Sequence, residues 1–379
     1  MNEVAEVVLP GEPLEVREVP APTVTKRQVV VSVSAVGVCH TDVHVWEDGY
    51  SLGERRGMWR FSSRGLHYPL TPGHEISGVI ERVGEKVTTV QPGDKVVVYP
   101  WIGCGSCSRC RQGHDNICDG HTREIGFSNR GGYAQQVWVP HERYVVKLPE
   151  GMPLESSCLL PCSGLTAFSA LKRTNVSAKD FILFIGMGGV GMMALKLAKL
   201  LLHSPIICVD IDDKKLEAAK EAGATFVFNS KTNTELEKDI RSLCNDGKGP
   251  ECIIDFVGAP STIDLAVSVL RKNGKLLVVG LLGGEAQIPI PFVPLRALTI
   301  QGVHTGSYEE LVELVALLSR HQHSFRPLIT RKYDSLSSAT TALEELRGGS
   351  IVGRAILCPN RHLGELKAEV EKEEEELSL

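Results

Sequence analysis

Residues 181–215 read FILFIGMGGVGMMALKLAKLLLHSPIICVDIDDKK, and this stretch decides the fold. Phe181 to Ile185 is a short uninterrupted apolar run, the pattern of a strand covered on both faces. Gly186, Gly188 and Gly191 follow at GxGxxG spacing, with Gly189 as a further small residue, and a helical apolar pattern runs from Val190 to Leu202. The first glycine permits a tight turn, the second lets a pyrophosphate approach the backbone, and the third lets the helix pack closely on the strand. Amide groups at the helix start then face the phosphates. Ile206 to Val209 reads as the next strand. Asp210 stands at its end, 24 positions after Gly186, close to the spacing of about 20 at which an acid receives the ribose hydroxyls of a dinucleotide. A 2'-phosphate there would meet like charge, so the pattern predicts NAD rather than NADP. The glycines alone would serve equally well as packing residues; strand, glycines, helix, strand and terminal acid together are what point to a dinucleotide.

The alternation continues downstream. A helix is predicted over Asp213 to Ala222, a strand over Phe226 to Phe228, a helix near Thr234 to Cys244, a strand over Cys252 to Phe256, a helix near Thr262 to Arg271 and a strand over Lys275 to Val279. Strands that read as continuous apolar runs between helices give a doubly wound parallel sheet, an α/β domain of the Rossmann type. Upstream, the first 160 residues have a different grammar. Val29, Val31, Val33 and Ala35 alternate along one strand, Ile76 to Val83, Lys95 to Tyr99 and Tyr133 to Val139 give three more, and Gly-Asp at 93–94 and Gly-Gly at 131–132 mark turns. After about Gly302, helical patterns at Tyr308 to Leu318 and Ser335 to Leu346 precede a strand at Ile351 to Leu357. Pattern alone leaves open whether they extend the parallel domain or fold back onto the first one.

At 379 residues the chain is long for one core, and two domains are expected. Its net charge is -5, of which the segment after Asn360 supplies most, with Arg361, Lys367 and Lys372 against seven glutamates. The near-neutral body offers no basic surface for nucleic acid. The tail from Gly364 to Leu379 reads as a charged helix or as disorder. Met1 to Pro10 has Glu3 and Glu6 and no basic segment leading into an apolar run, against a secretory signal. The apolar helix from Val190 to Leu202 is interrupted by Lys196 and Lys199 and is too short to span a membrane. Eleven cysteines in such a chain favour thiols and metal ligands in the cytoplasm over a disulfide framework.

Four of them, Cys104, Cys107, Cys110 and Cys118, lie at C-x2-C-x2-C-x7-C. Thiolates at such short separations can meet around one tetrahedral zinc, with Gly103, Gly105 and Gly113 helping the backbone turn. Related spacing also serves iron-sulfur clusters. Buried thiols without a metal fit poorly, because Ser106, Ser108, Arg109, Arg111, Gln112 and His114 surround them. Four filled positions leave none for a substrate, so such a zinc is structural. Cys39, His74, Glu75 and Cys162 are dispersed, and position alone does not select them from twelve histidines and eleven cysteines.

The chain resembles the zinc-containing medium-chain alcohol dehydrogenases across nearly its whole length. The resemblance is carried by Gly37-Val38-Cys39-His40-Thr41-Asp42, by Gly73-His74-Glu75-x2-Gly78-x5-Gly84-x2-Val87, by the four-cysteine loop, by Pro161-Cys162-Ser163-Gly164 and by the Gly186 motif. Each is moderately specific, and their order is highly so. It implies a β-rich GroES-like catalytic domain over residues 1–161 and 303–360, a Rossmann-type coenzyme domain over 162–302, an acidic tail over 361–379, and an active site in the cleft between the domains. It implies two zinc ions per chain. Cys39, His74 and Cys162 would ligate the catalytic one, with Glu75 beside it as alternate ligand or electrostatic partner, and the four-cysteine loop would hold the structural one. Three protein ligands leave a position where an alcohol oxygen can bind, lose its proton and release hydride to NAD, giving an aldehyde or ketone, with the reverse reduction by the same route.

The same resemblance implies a proton route from the alcohol through the Thr41 hydroxyl and the nicotinamide ribose to His44 and water. It gives Asp42 a bond that orients His74. Thr166 would lie near the nicotinamide, Arg354 would reach the pyrophosphate, Lys215 would contact the ribose, and His40 would stand near the phosphates. Val190 at the helix start and Val279 at a strand end complete the cofactor positions. The segment from Val45 to Pro69 stands out, with Trp46, Tyr50, Trp59, Phe61 and Tyr68 among Arg55, Arg56, Arg60 and Arg64. Its aromatics could line a pocket whose arginine receives a carboxylate or phosphate, or the segment could be a solvent-facing loop or subunit contact. The long insertion of the larger dimeric relatives is missing, which favours a homotetramer over a homodimer. A zinc-containing reductase or lyase and a non-enzymatic nucleotide-binding scaffold are the competing classes.

Overall fold

A computed structural model of the chain describes residues 1–321 and 325–360. The charged tail expected over 361–379 lies outside the described residues. The amino-terminal region contains strands β1 (Asn2–Glu6), β2 (Glu15–Val19), β3 (Val29–Val38), β4 (Gly49–Ser51), β5 (Met58–Arg60), β6 (Glu75–Val83), β7 (Lys95–Val98), β8 (Gln136–Val139) and β9 (Val145–Lys147). The parallel region contains β10 (Ile182–Ile185), β11 (Ile206–Asp210), β12 (Phe226–Asn229), β13 (Cys252–Asp255), β14 (Lys275–Val278) and β15 (Thr299–Gly302), followed by β16 (Ile329–Tyr333) and β17 (Arg354–Leu357).

Strands β10 to β15 form one six-stranded parallel sheet in the order β12-β11-β10-β13-β14-β15. Its centre is apolar on both faces because the strand period of two divides the side chains between two cores. Ile182, Phe184, Cys208, Cys252, Ile254 and Leu277 enter the larger core, and Leu183, Ile185, Ile207, Val209, Ile253 and Leu276 enter a second one. The chain order reverses at β10, which has β11 on one side and β13 on the other, so a crevice opens at the carboxyl ends of these strands.

The second large sheet runs β16-β17-β3-β6-β7-β9, with β8 also pairing β3. Strand β17 pairs antiparallel with β3, Ala355 opposite Val38, so the last described strands fold back onto the amino-terminal region. Strand β17 starts only at Arg354, three residues later than the apolar run suggests. Gly353 just before it has φ 84°, and a Cβ there would sit 2.5 Å from the Leu328 carbonyl oxygen. Strand β8 likewise begins at Gln136 rather than Tyr133, because the Tyr133 amide donates to Pro72 instead of to a strand neighbour. A short helix, His40–Trp46, follows β3.

Candidate metal and dinucleotide sites

Cys39 precedes the helix His40–Trp46, His74 and Glu75 stand at the entrance to β6, and Cys162 lies in a π-helical turn, Leu160–Gly164. Strands β3 and β6 are antiparallel neighbours with Gly37 opposite Glu75, which brings the first three residues together. The turn delivers the fourth. The ligand atoms of all four lie within 4.8 Å of one another, and all four residues are buried. His74 Nε2 is 3.3 Å from Cys162 Sγ. A tetrahedral zinc with bonds of about 2.1 Å to nitrogen and 2.3 Å to sulfur needs an N–S edge of about 3.6 Å, so the donors fit such an ion.

Asp42, fully buried, accepts from the Cys39 and Gly73 amides at 3.0 Å each and lies 3.0 Å from His74 Nδ1. A carboxylate only accepts, so Nδ1 carries the proton of this bond and Nε2 is turned into the cluster. Burial opposes a charge on His74, but the Asp42 carboxylate and the Cys39 sulfur raise its pKa well above the ordinary value. Cys162 donating to Cys39 holds the Cys39 thiol well below its usual range, against burial and with help from His74. Glu75 Oε1 accepts from the Ser163 amide at 3.1 Å, and Oε2 pairs with the Arg354 guanidinium. Burial pushes the Glu75 carboxyl up to about 7, and Arg354 opposes the shift. Gly37 is required here, since a Cβ would fall 2.0 Å from Glu75 Oε2.

In the parallel region, Gly186 turns the chain at φ 92°, Gly188 caps the helix Gly189–Leu201, and Val190 lies in its first turn. A Cβ on Gly191 would meet the Gly186 carbonyl oxygen at 2.0 Å, so the helix comes this close to the turn only because residue 191 is glycine. Asp210 Oδ2 accepts from the Met187 amide at 2.6 Å, and Oδ1 from Ile211 and Asp212 at 2.8 and 3.0 Å. Its carboxylate thus ties the glycine turn to the end of β11. Arg354 lies against Gly189, where a Cβ would approach its Cδ to 2.5 Å, and so spans from the glycine turn to Glu75. Val279 follows β14 and donates to the Asp255 carbonyl at 2.9 Å. Thr166 is buried in the helix Leu165–Lys172. His40 and Lys215 are close enough for the lysine charge to depress the His40 pKa, after burial and the Arg354 charge.

Sequence reasoning missed Asp255. It ends β13 fully buried and accepts from the Val257 and Gly258 amides at 2.9 and 3.1 Å and from the Thr262 hydroxyl at 2.7 Å, holding the loop beside the glycine turn. An acid closing the apolar run Cys252–Ile254 is the signal that could have found it.

In the four-cysteine loop, Cys104 Sγ is 4.0 Å from Cys110 Sγ, and Cys107 Sγ is 3.9 Å from Cys118 Sγ. A ZnS4 tetrahedron with bonds of about 2.3 Å has edges of about 3.8 Å, so this set fits a closed site. Backbone amides supply the sulfurs with donors: Ser106 and Cys107 to Cys104, and Cys104 and Gly120 to Cys118. The Ser106 hydroxyl, followed by the Ser106 and Cys107 amides, lowers the Cys104 thiol to about 5, and the Cys110 amide lowers that of Cys107, while burial raises those of Cys110 and Cys118.

The segment 45–69 splits in two. Val45, Phe61, Leu66 and Leu70 form a small core joined by Tyr50, Tyr68 and Phe127. Tyr50 packs 4.6 Å from the His44 ring and 5.1 Å from Phe61. The arginines point elsewhere: Arg55 and Arg56 pair with Glu285, Arg60 with Asp48, and Arg64 lies over the exposed Trp59 ring.

The family described as zinc-binding dehydrogenase matches residues 189–320, and the alcohol dehydrogenase GroES-like domain matches residues 25–150. The NAD-dependent alcohol dehydrogenase of Sulfurisphaera tokodaii is 34% identical over 92% of this chain and 97% of its own. The crystal structure of the alcohol dehydrogenase from the archaeon Aeropyrum pernix matches with a TM-score of 0.84 at 30% identity, covering 94% of this chain and 100% of that one. A cobalt- and zinc-bound thermostable alcohol dehydrogenase from Pyrobaculum aerophilum matches with a TM-score of 0.79 at 26% identity, covering 94% and 99%. Among the described residues, no helix is long and apolar enough to cross a membrane.

Proposed function

Since the chain belongs to the zinc-binding medium-chain alcohol dehydrogenases, we propose that it oxidises an alcohol to an aldehyde or ketone with NAD, and catalyses the reverse reduction. The observation that carries this reading is the convergence of Cys39, His74 and Cys162 in a buried cluster whose fourth member, Glu75, is turned to the Ser163 amide and Arg354. Three donors would hold a zinc ion with a position left for substrate, and Cys104, Cys107, Cys110 and Cys118 would hold a second, structural one. When bound, zinc supplies the Lewis acidity that lowers the pKa of an alcohol, and NAD supplies the hydride acceptor.

The chain's own residues do the rest. Asp42 fixes the tautomer and orientation of His74. Gly186, Gly188, Gly189, Val190 and Gly191 accommodate the dinucleotide phosphates, with Arg354 as the nearby cation and His40 beside it; Asp210 and Lys215 receive the ribose, and Thr166 and Val279 border the nicotinamide. Thr41 and His44 are three residues apart on one face of the helix His40–Trp46, which suits Thr41 to take the alcohol proton and His44 to release it to solvent. Burial, followed by the charge of His40, lowers the His44 pKa, with Cys39 and Glu47 opposing and the Tyr50 ring alongside. His44 is therefore a neutral acceptor at pH 7.

The sign of the pH effect follows. Alcohol oxidation holds its plateau to a more acidic pH than an ordinary histidine of pKa about 6.5 would allow, then falls as His44 gains a proton. His44→Gln lowers kcat for oxidation about a hundredfold and removes that acid limb, as a kcat-against-pH profile checks. An unchanged profile would take His44 off the proton route.

A panel of primary, secondary, cyclic and acid-bearing alcohols, followed by NADH formation, tests the activity. We expect turnover with at least one class and a kcat/KM favouring NAD over NADP, since Asp210 presents a carboxylate where the 2'-phosphate would lie. No hydride transfer with any alcohol would leave a scaffold, and a preference for NADP would overturn the cofactor assignment.

The same reading gives residues 1–161 and 303–360 to the catalytic domain and 162–302 to the coenzyme domain. The return of β16 and β17 to the β3 sheet supports it. Exposed Ile290, Phe292, Leu295 and Ile300 lie in the edge strand β15 and in the segment leading to it. They support a homo-oligomer, a tetramer or a dimer; a monomeric mass in solution would remove it. Cysteine thiols gathered in two candidate metal clusters suit the reducing cytoplasm, where we place the protein; export in a disulfide-bonded form would contradict this.

A further inference from the structure

Between the four-cysteine loop and the Cys39 cluster runs a continuous set of contacts that the proton and hydride chemistry does not use. The His74 ring packs against Trp101 with centroids 5.4 Å apart and planes inclined at 59°. Trp101 is buried, and its indole N–H donates at 3.1 Å to the carbonyl of Pro161, the residue before Cys162. One side chain thus braces two members of the cluster. Trp101 also meets His304, edge to face, at 5.7 Å.

His304 is locked to the four-cysteine loop in both directions. Asn116 Nδ2 donates to the His304 carbonyl at 2.7 Å, and His304 Nδ1 donates to the Asn116 carbonyl at 2.9 Å. A carbonyl only accepts, so the His304 proton is on Nδ1. Asn116 lies two residues before Cys118, and its neighbour Asp115 accepts from Arg143 and Tyr144, which pins the loop beside the contact. On the other side, Thr305 is buried with φ 49°, a conformation a β-branched residue keeps only where its surroundings impose it.

We propose that Asn116, His304 and Trp101 are positioning residues through which the four-cysteine loop sets the orientation of His74 and Cys162. The proposal rests on the reading that both clusters hold a metal ion. The loop then has a task beyond stability: its shape, held by its own ion, is transmitted through a hydrogen-bonded pair and two ring contacts to the reacting centre.

The test uses the enzyme with cobalt(II) in the Cys39 cluster and zinc in the four-cysteine loop. The visible cobalt bands report the geometry of Cys39, His74 and Cys162. His304→Ala and Asn116→Ala, neither of which removes a metal ligand, shift those bands and lower kcat about 10- to 100-fold, with KM for NAD unchanged. Where a variant fails to fold, the unsubstituted chain is compared with zinc or the larger cadmium ion in the loop; the cobalt bands shift between the two. Bands that stay the same in folded variants, or across the zinc-to-cadmium exchange, overturn the positioning role even where kcat falls. Absence of thiolate-to-cobalt absorption in the unsubstituted enzyme overturns the metal reading, and this inference with it.

Discussion

Cys39→Ser removes turnover, by about a thousandfold or more, and leaves the fold in place. Sulfur to oxygen is a small change in a buried position, so the packing around β3 and the helix His40–Trp46 survives. The ligand field does not. Cys39 carries the lowered thiol of the cluster, its amide is held by Asp42, and it lies at the junction that brings His74 and Cys162 together. A serine hydroxyl, with a far higher pKa, offers no comparable anion to a divalent ion. Lewis-acid stabilisation of an oxyanion supplies several kcal/mol, and each 1.4 kcal/mol is about tenfold in rate. Steady-state NADH formation with far-ultraviolet circular dichroism checks both halves. Full activity in the folded variant would remove the cluster from the chemistry.

Cys107→Ser has the opposite profile, acting first on stability. The loop 103–120 has little core of its own: among its residues only Cys110, Asp115 and Gly103 are buried, and the sulfurs with their amide donors organise the rest. Structural zinc in small peptides contributes about 10–16 kcal/mol of apparent binding free energy at neutral pH, and loss of one thiolate forfeits part of it. We expect a melting temperature lower by about 5–10 °C, a shift of roughly 2–4 °C per kcal/mol in a protein of this class, and a lost equivalent of zinc. A variant with unchanged melting and full zinc content would show that the loop holds itself without the ion.

The parallel domain was the most legible part of the chain, for a physical reason. Strands β10, β11 and β13 are buried along their whole length, so each reads as an unbroken apolar run, and the glycine turn after β10 marks the crevice. The amino-terminal pair β1 and β2 was not read. Asn-Glu-Val-Ala-Glu and Glu-Val-Arg-Glu-Val carry little apolar pattern, and they pair with each other while β1 also bonds to residues 133–136 far along the chain. The helix His40–Trp46 escaped because Val43, His44 and Val45 alternate like a strand. It is helical because Asp42 reaches back to the Cys39 amide and closes the first turn.

The two metal clusters differ in the same way. The four cysteines lie close in sequence, so spacing alone exposes them. Cys39, His74 and Cys162 meet only through the β3 and β6 pairing and the Leu160–Gly164 turn, which no local pattern encodes; the family resemblance supplied them. The ties that position the site, Arg354 to Glu75 and Asp255 to Thr262, join residues 279 and 7 positions apart. Neither pairing has a sequence signature.

Zinc content measured on the same preparation as NADH formation, during graded chelation, tests the assignment of a reacting ion to the Cys39 cluster most directly. The expected result is two zinc ions per chain, one for each cluster, with NADH formation lost as the reacting ion leaves and recovered when zinc is returned. Undiminished NADH formation from a chain stripped of zinc would contradict it.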